Sequence, residues 1–182
     1  MVEEWAKPED VVGFWREAGQ KRWFKTDPEF DALIRERFLK THEQAAAGKL
    51  AHWEETAKGA LALVILLDQF SRNMFRGEAR AFASDARARA IAERAIARGF
   101  DRMVPFGRNF FYLPYMHSEN LADQDRCIAL FEAAGDAESV KHAKAHHDLI
   151  RRFGRFPFRN ESLGRTSTPE EKKYLASGGY RV

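Results

Sequence analysis

The densest group of residues that could carry chemistry is arginine-rich and lies towards the carboxyl end. Residues 151–165 read RRFGRFPFRNESLGR and contain five arginines. Guanidinium groups offer paired N–H donors that suit carboxylates and phosphates, and a helix start expected near Thr168 adds backbone N–H groups that favour an anion. Two interpretations follow. Arg155, Arg159 and Arg165 bind an anion, or they hold a loop in place by pairing with Asp and Glu side chains.

A second polar group follows the most apolar stretch of the chain, residues 61–67. Its members are Asp68, Gln69, Arg72, Asn73 and Arg76. The last four have the spacing i, i+3, i+4 and i+7, which predicts one polar stripe on a helix, and Asp68 lies one turn from Arg72 and can orient it. Because an unpaired buried charge costs several kcal/mol, the stripe must be paired, solvated or facing a cavity. It is therefore either an ion-pair network or the wall of a pocket.

A third group lies in residues 112–119, YLPYMHSE, which include Tyr112 and the run His117-Ser118-Glu119. Consecutive residues of a helix point in different directions, so these three cannot form a hydrolytic triad among themselves. No G-x-S-x-G motif is present to supply a nucleophile. We expect His117 to be a buried, hydrogen-bonded side chain.

A fourth group has metal-ligand spacing, since Glu138, His142 and His146 recur at every fourth residue. The H-E-x-x-H motif is absent and no third strong ligand is evident, so we expect no metal and no cofactor. An enzyme would have two acid–base pairs to draw on. They are His117 with Glu119, and His146 with Asp148. We favour a binding function over catalysis.

Composition excludes several classes of protein. Of the 182 residues, 45% are hydrophobic, including 15 Phe and 4 Trp, which supplies a packed core and is not typical of a disordered chain. The single cysteine cannot form an internal disulfide and suits a reducing cytoplasm. The longest apolar run is far shorter than the roughly 20 residues of a membrane span, and the acidic amino terminus does not resemble a signal peptide. We expect a soluble cytoplasmic protein with no membrane contact.

The charge is unevenly distributed. The net charge is +3, yet residues 141–182 carry ten Lys or Arg and only four Asp or Glu. Arginines interleaved with aromatic residues could stack nucleic-acid bases. However, no recognition helix or zinc-finger pattern accompanies them, so we do not expect a nucleic-acid partner. The sequence does not indicate an oligomeric state.

Helix punctuation recurs along the whole chain, whereas strand alternation is nearly absent. Helix starts are marked at Asp27-Pro28, Ser84-Asp85 and Thr168-Pro169, the last within a capping box. Further helices are predicted over about 54–70, 121–134 and 138–153. We predict one all-α domain over residues 1–182, in which about eight helices pack as antiparallel hairpins in a tetratricopeptide-like array. The strict repeat of roughly 34 residues is not visible.

Four strings together resemble a known family. They are FWREAGQKRWFKTDPEFD (14–31), LLDQFSRNMFRG (66–77), YLPYMHSE (112–119) and HHDLIRRFGRFPFRNESLGRTSTPEE (146–171). In these strings the chain is similar to the uncharacterised bacterial family catalogued as domain of unknown function 924, over nearly its whole length. The resemblance implies a fold of the tetratricopeptide-like superfamily and implies no established activity.

The resemblance also marks signature positions. They are Asp68, Gln69, Arg72, Asn73, His117, Ser118, Glu119, His146, Arg155, Arg159 and Asn160. One position departs from the pattern, because the family usually reads F-P-H-R-N and Phe158 replaces that histidine here. If the family uses that imidazole as an acid, a base or a ligand, this chain lacks it. The departure counts against histidine-based catalysis.

These observations give one principal hypothesis and two alternatives. The principal hypothesis is a binding domain with an arginine-rich concave face that receives a small anionic ligand or an acidic peptide segment. The candidate ligand-binding residues are Asp68, Gln69, Arg72, Asn73, Arg76, Tyr112, His117, Glu119, His146, Arg155, Arg159, Asn160 and Arg165. The alternatives are a helical scaffold for protein–protein interaction and, less favoured, an enzyme with His117 and Glu119 as its acid–base pair.

Overall fold

A computed structural model describes residues 5–179, and these residues form helices and turns with no β-strand. The α-helices are α1 (Pro8–Ala18), α2 (Gln20–Trp23), α3 (Pro28–Ala46), α4 (Ala57–Val64), α5 (Ser71–Met74), α6 (Asp85–Ala97), α7 (Leu113–Met116), α8 (Leu121–Ala134), α9 (Ala137–Phe153) and α10 (Pro169–Ala176). A π-helix, Ile65–Phe70, joins α4 to α5. Short 3₁₀ turns cover Ala51–Glu55, Ala79–Phe82, Phe100–Arg102, Arg108–Phe111 and Pro157–Arg159. The all-α prediction is confirmed.

The chain divides into two compact units. The first comprises the residues up to Arg76 together with Arg80–Pro114, and the second comprises Gly77–Ala79 and the residues from Tyr115 onward. The single domain expected over the whole chain stays a prediction. Across residues 5–179, no helix combines the length and the apolar composition needed to cross a membrane.

The core of the first unit is built around α4 and the π-helix, which are buried along almost their whole length. Thr56 caps α4 by accepting a hydrogen bond from the Gly59 backbone N–H. A side chain at Gly59 would meet the Trp53 carbonyl at 2.0 Å, so only glycine allows this close approach. The predicted start near residue 54 was wrong, because Ala51–Glu55 forms a separate 3₁₀ turn before Thr56.

The π-helix changes the helical register of the polar residues that follow it. A π turn inserts one residue into the helical register and often marks functional sites. The straight stripe predicted from Gln69 to Arg76 was wrong at its far end, since α5 ends at Met74 and Arg76 lies beyond the helix. The sequence spacing alone cannot show this, because it assumes an uninterrupted α-helix.

The second unit is organised by a helical hairpin. Asn120 caps α8, Asp136 caps α9, and Gly135 between them has φ of 71°, a left-handed conformation that suits glycine. The predicted capping box of α10 is confirmed: the Thr168 hydroxyl accepts from the Glu171 backbone N–H, and the Glu171 carboxylate accepts from the Thr168 backbone N–H.

Candidate functional site

In the first unit, Arg72 is held between two carboxylates. Its Nη1 lies 3.2 Å from Asp68 Oδ1 and 2.8 Å from Asp85 Oδ1, and its Nη2 lies 3.0 Å from Asp85 Oδ2. Gln69 Nε2 donates to Asp68 Oδ2 at 2.6 Å. Burial disfavours the charged guanidinium, but Asp68 and Asp85 outweigh burial and raise the pKa of Arg72. Asp68 orients Arg72 as expected, and the group forms an internal ion-pair network.

The other two members of the predicted stripe pair with a residue of α3. Asn73 Nδ2 donates to Asp31 Oδ1 at 2.7 Å, and Arg76 donates to the same carboxylate through Nε at 2.7 Å and Nη2 at 3.0 Å. Both side chains therefore connect α3 to the segment around α5.

Tyr112 is buried in the first unit, in a second polar network. Its hydroxyl donates to Asp101 Oδ2 at 2.6 Å and accepts from Arg108 Nε at 2.7 Å. Burial and then the Asp101 carboxylate raise the pKa of Tyr112, which keeps the phenol protonated. This arrangement links two 3₁₀ turns.

In the second unit, Glu119 ties the arginine-rich segment to the chain that precedes α8. Its carboxylate accepts from Arg165 Nη1 at 2.7 Å, from Arg165 Nη2 at 2.9 Å and from the Phe156 backbone N–H at 2.8 Å. Burial would raise the pKa of Glu119, but the bonds from Arg165 and Phe156 outweigh it and lower the pKa. Glu119 is thus held ionised, which does not suit a general acid.

Arg155 and Asn160 both bind Glu171 in α10. Arg155 donates to Glu171 through Nε at 2.7 Å and through Nη2 at 2.8 Å, and Asn160 Nδ2 donates to the same carboxylate at 3.2 Å. The bond from Arg155 is the largest cause that lowers the pKa of Glu171 to about 2. Arg165 Nε completes the group by donating to Asn160 Oδ1 at 2.9 Å.

Arg159 is buried, and its Nη2 donates to the His117 carbonyl at 2.9 Å. Its guanidinium also lies 4.6 Å from the centre of the Phe156 ring. With Arg155 and Arg165, Arg159 thus bonds to groups of the protein itself. This geometry fits the interpretation in which the arginines hold a loop in place.

His117 and His146 of the second unit are buried and lie close together. The His117 and His146 ring centres are 6.5 Å apart, and His146 Nδ1 lies 2.7 Å from the His142 carbonyl. Burial lowers the pKa of His146 to about 3, so its ring is neutral at pH 7. Within residues 5–179, no three His, Cys, Asp or Glu side chains come together as metal ligands. Asp148 pairs with Arg151 at 3.3 Å, and Glu119 is bound to Arg165. The two proposed acid–base pairs, His117 with Glu119 and His146 with Asp148, therefore gain no support.

Phe158, the departure from the family pattern, belongs to an apolar cluster. Its ring stacks on Phe156 with centres 5.4 Å apart, and it packs against buried Leu149 and Ile150. In this chain the position therefore contributes to packing.

A pocket in the first unit was missed by sequence reasoning. It has a volume of about 220 Å³ and is lined by His42, Glu43, Ala46, Arg80, Ala83, Ser84 and Arg87. These residues come from the end of α3, the segment before α6 and the first turn of α6. None of them was among the candidate residues, because no motif connects them along the chain.

Ser84 occupies the N-cap position of α6 but does not cap it. Its hydroxyl donates instead to the Leu67 carbonyl at 2.6 Å. Consequently the backbone N–H groups of Ala86 and Arg87 make no hydrogen bond to any described residue. The expectation that Ser84 caps this helix was wrong, because the bond to the Leu67 carbonyl holds the Ser84 oxygen away from the first-turn N–H groups from which it would have to accept.

The charged side chains of the pocket are unequally paired. Arg80 Nη2 lies 2.9 Å from Glu43 Oε1, and both side chains are about half exposed. Arg87 is exposed and makes neither a hydrogen bond nor an ion pair with the part of the chain that the structure describes. His42 is only 4% exposed, and burial followed by the charge of Arg80 lowers its pKa to about 4. The pocket therefore carries one uncompensated positive charge.

Comparison with known proteins agrees with the resemblance found in the sequence. The chain belongs to a family of bacterial proteins of unknown function, DUF924, whose family model matches residues 11–179. A solved structure of a protein of unknown function from Agrobacterium tumefaciens is 45% identical in sequence. That similarity covers 94% of this chain and 97% of the other, with a TM-score of 0.90. No curated protein matches the chain.

Proposed function

We propose that this protein binds a small anion in the pocket at the amino terminus of α6. The observation that carries the proposal is the inward turn of the Ser84 hydroxyl, which leaves the Ala86 and Arg87 backbone N–H groups without a cap. Exposed N–H groups at the start of a helix, together with the helix dipole, favour a negative charge. The anion would take the place that a capping side chain normally fills.

The arginines of the pocket support the same conclusion. Arg87 lies in the first turn of α6 with no carboxylate partner in the described residues. Arg80 has one carboxylate partner, Glu43, and its guanidinium also lies 4.1 Å from the centre of the Phe75 ring. Because an ion pair this exposed contributes little to stability, Arg80 can exchange Glu43 for a ligand at small cost. Two guanidinium groups thus line the pocket against one carboxylate.

The pocket favours a small ligand over an acidic peptide segment. Its volume of about 220 Å³ lies below the usual range for drug-sized ligands.

The proposal also includes tetratricopeptide-like packing of helix pairs and a cytoplasmic location. The α8–α9 hairpin supports the packing, and the single buried cysteine suits a reducing compartment.

Thermal denaturation in the presence of acetate, phosphate, sulfate and dicarboxylates tests the proposal. A ligand at one hundred times its Kd stabilises the folded protein by about 2.7 kcal/mol, and each kcal/mol raises the Tm by roughly 2–4 °C at this chain length. We expect at least one anion to raise the Tm of the wild type and of Arg16→Ala, and to raise that of Arg87→Ala much less.

Arg16→Ala is the matched control, because Arg16 is also an exposed helical arginine with no bond to any described residue. It removes the same charge, so general effects of salt act equally on both variants. Equal Tm shifts in Arg87→Ala and Arg16→Ala would contradict the proposal, and so would the absence of any anion-dependent shift.

A further inference from the structure

Two neighbouring segments of the first unit project large apolar side chains into solvent. Phe24 and Met103 are each 67% exposed, more than any other large hydrophobic side chain among the described residues. Phe24 follows α2, and Met103 follows the 3₁₀ turn Phe100–Arg102. The segments contact each other, because the ring centres of Trp23 and Phe106 are 5.8 Å apart. Exposed apolar side chains grouped in this way mark an interaction surface more often than single ones do.

The turn that carries Phe24 is held in place by the two residues before it. Trp23 Nε1 donates to the Trp15 carbonyl at 2.6 Å, and Arg22 Nη2 donates to Asp27 Oδ2 at 3.1 Å. Three other side chains of this turn are exposed, and they are Lys21, Phe24 and Lys25. The phenyl ring therefore projects outward beside two lysines.

Both apolar side chains stand among basic residues. Residues 16–25 contain four Lys or Arg and one Glu, and residues 98–108 contain three Arg and one Asp. That acid, Asp101, is buried and already accepts a hydrogen bond from the Tyr112 hydroxyl at 2.6 Å. Three exposed side chains make no hydrogen bond and no ion pair with the part of the chain that the structure describes, and they are Lys21, Lys25 and Arg102. Each segment thus combines an exposed apolar side chain with positive charge that no described carboxylate takes up.

We propose that this patch, formed by Phe24, Met103, Lys21, Lys25 and Arg102, binds the surface of an anionic phospholipid membrane. An anionic surface attracts basic side chains, and a phenyl ring can enter the boundary between the headgroups and the acyl chains. The long lysine side chains keep their ammonium groups at the level of the phosphates. The expectation of no membrane contact rested on the lack of a spanning segment and of a signal peptide, and surface binding requires neither.

Charge and shape favour a lipid surface over other occupants. In a symmetric dimer built on Phe24, the lysines of both copies would face each other, and like charges across an interface are unfavourable. A protein partner would need an acidic groove that matches two separate apolar side chains. A fluid anionic surface accepts both side chains without a matched shape.

Co-sedimentation with sucrose-loaded vesicles tests the proposal. Vesicles of phosphatidylcholine with about one-third phosphatidylglycerol should bind the protein at least about tenfold more strongly than phosphatidylcholine alone, and high salt should remove most of this preference. Phe24→Ser should weaken binding about tenfold, because the ring no longer leaves water. Lys21→Gln and Lys25→Gln should each weaken it about fivefold.

Two variants in the second unit serve as matched controls. Leu121→Ser removes an apolar side chain that is 42% exposed and has the acidic Asp125 one turn further along α8. Lys172→Gln removes an exposed lysine whose side chain makes no bond to any described residue. Both should bind the anionic vesicles as the wild type does, with the fold of every variant checked by circular dichroism. Unchanged binding of a folded Phe24→Ser, or an equal loss in Leu121→Ser, would overturn the assignment to this patch.

A dye at position 24 reports entry into the lipid directly. Phe24→Cys can be labelled selectively with the fluorophore NBD, because the native Cys127 is buried. Anionic vesicles should shift the emission of this label to the blue and leave the same label at Leu121→Cys unchanged. If the vesicles shift neither label but polyglutamate binds, the patch recognises an acidic protein segment and the lipid proposal is wrong. A dimer in sedimentation that becomes a monomer in Phe24→Ser would instead show that a second copy covers the patch.

Discussion

The arginine-rich segment 151–165 and the pocket at the start of α6 use arginine in different ways. In the second unit, Arg155 and Arg165 each bind a carboxylate with two N–H groups, and Arg159 donates to a backbone carbonyl. In the first unit, Arg87 reaches no carboxylate within the described residues and lies beside uncapped helix N–H groups. A high density of arginine in the sequence therefore does not indicate an available positive charge. What decides the role of each arginine is where the carboxylates lie.

The largest expected effect is on the stability of the second unit. Glu119→Gln leaves Arg165 with half of its pairing and weakens the bond to the Phe156 N–H. Breaking a fully buried ion pair costs about 3–5 kcal/mol. These two side chains keep about a quarter of their exposure, so we expect a loss of about 2 kcal/mol in the free energy of unfolding, measured with urea.

The matched control is Glu132→Gln, in the same unit. Glu132 pairs with Lys144 at 3.4 Å, and both side chains are more than half exposed, so its loss should cost about 0.5 kcal/mol or less. A cost for Glu119→Gln no greater than that of Glu132→Gln would mean that the arginine-rich segment is not held by this carboxylate.

The next effect is a dependence of stability on pH through Glu171. Its pKa is lowered in the folded protein from the usual 4.5 to about 2, mainly by Arg155. The stabilisation is therefore fully present above pH 4.5 and is lost as the pH falls towards 2. Wild type should lose stability across this window, whereas Glu171→Gln should be destabilised at pH 6 and show a flatter dependence below.

Glu170→Gln serves as the control for this prediction. Glu170 lies on the same helix, and its bond to Arg152 is largely exposed. Its variant should follow the wild-type curve between pH 6 and pH 2. A constant difference between wild type and Glu171→Gln over that range would contradict the assigned role of Arg155.

Local features of the fold could be predicted from the sequence, because short-range chemistry determines them. The cap at Asp27 and the capping box at Thr168 form within one helical turn, and both occur where the sequence indicates them. Asp68 likewise contacts Arg72 one turn away. Each of these depends on residues no more than four positions apart.

Features that depend on distant residues could not be predicted. Glu119 and Arg165 are 46 positions apart, and nothing in the sequence selects this pair among the many possible ones. The inward turn of Ser84 depends on the Leu67 carbonyl of the π-helix, 17 positions away. The uncapped start of α6 therefore depends on a folded backbone that brings this carbonyl within reach of the Ser84 hydroxyl.

The smallest expected effect is that of Arg87→Ala, and it sharpens the comparison most directly when it is set beside Arg155→Ala. Arg155→Ala removes two bonds to Glu171 and one to the Thr166 carbonyl, so it should cost about 1–2 kcal/mol of unfolding free energy. Arg87→Ala breaks no bond to a described residue and should change that free energy by about 0.5 kcal/mol or less. Both can be measured by urea denaturation without added anions. If Arg87→Ala proves as costly as Arg155→Ala, Arg87 is a structural arginine, and the contrast between the pocket and the arginine-rich segment no longer holds. If the costs differ as expected, Arg87 does not stabilise the unliganded protein, and its guanidinium is available to bind a ligand.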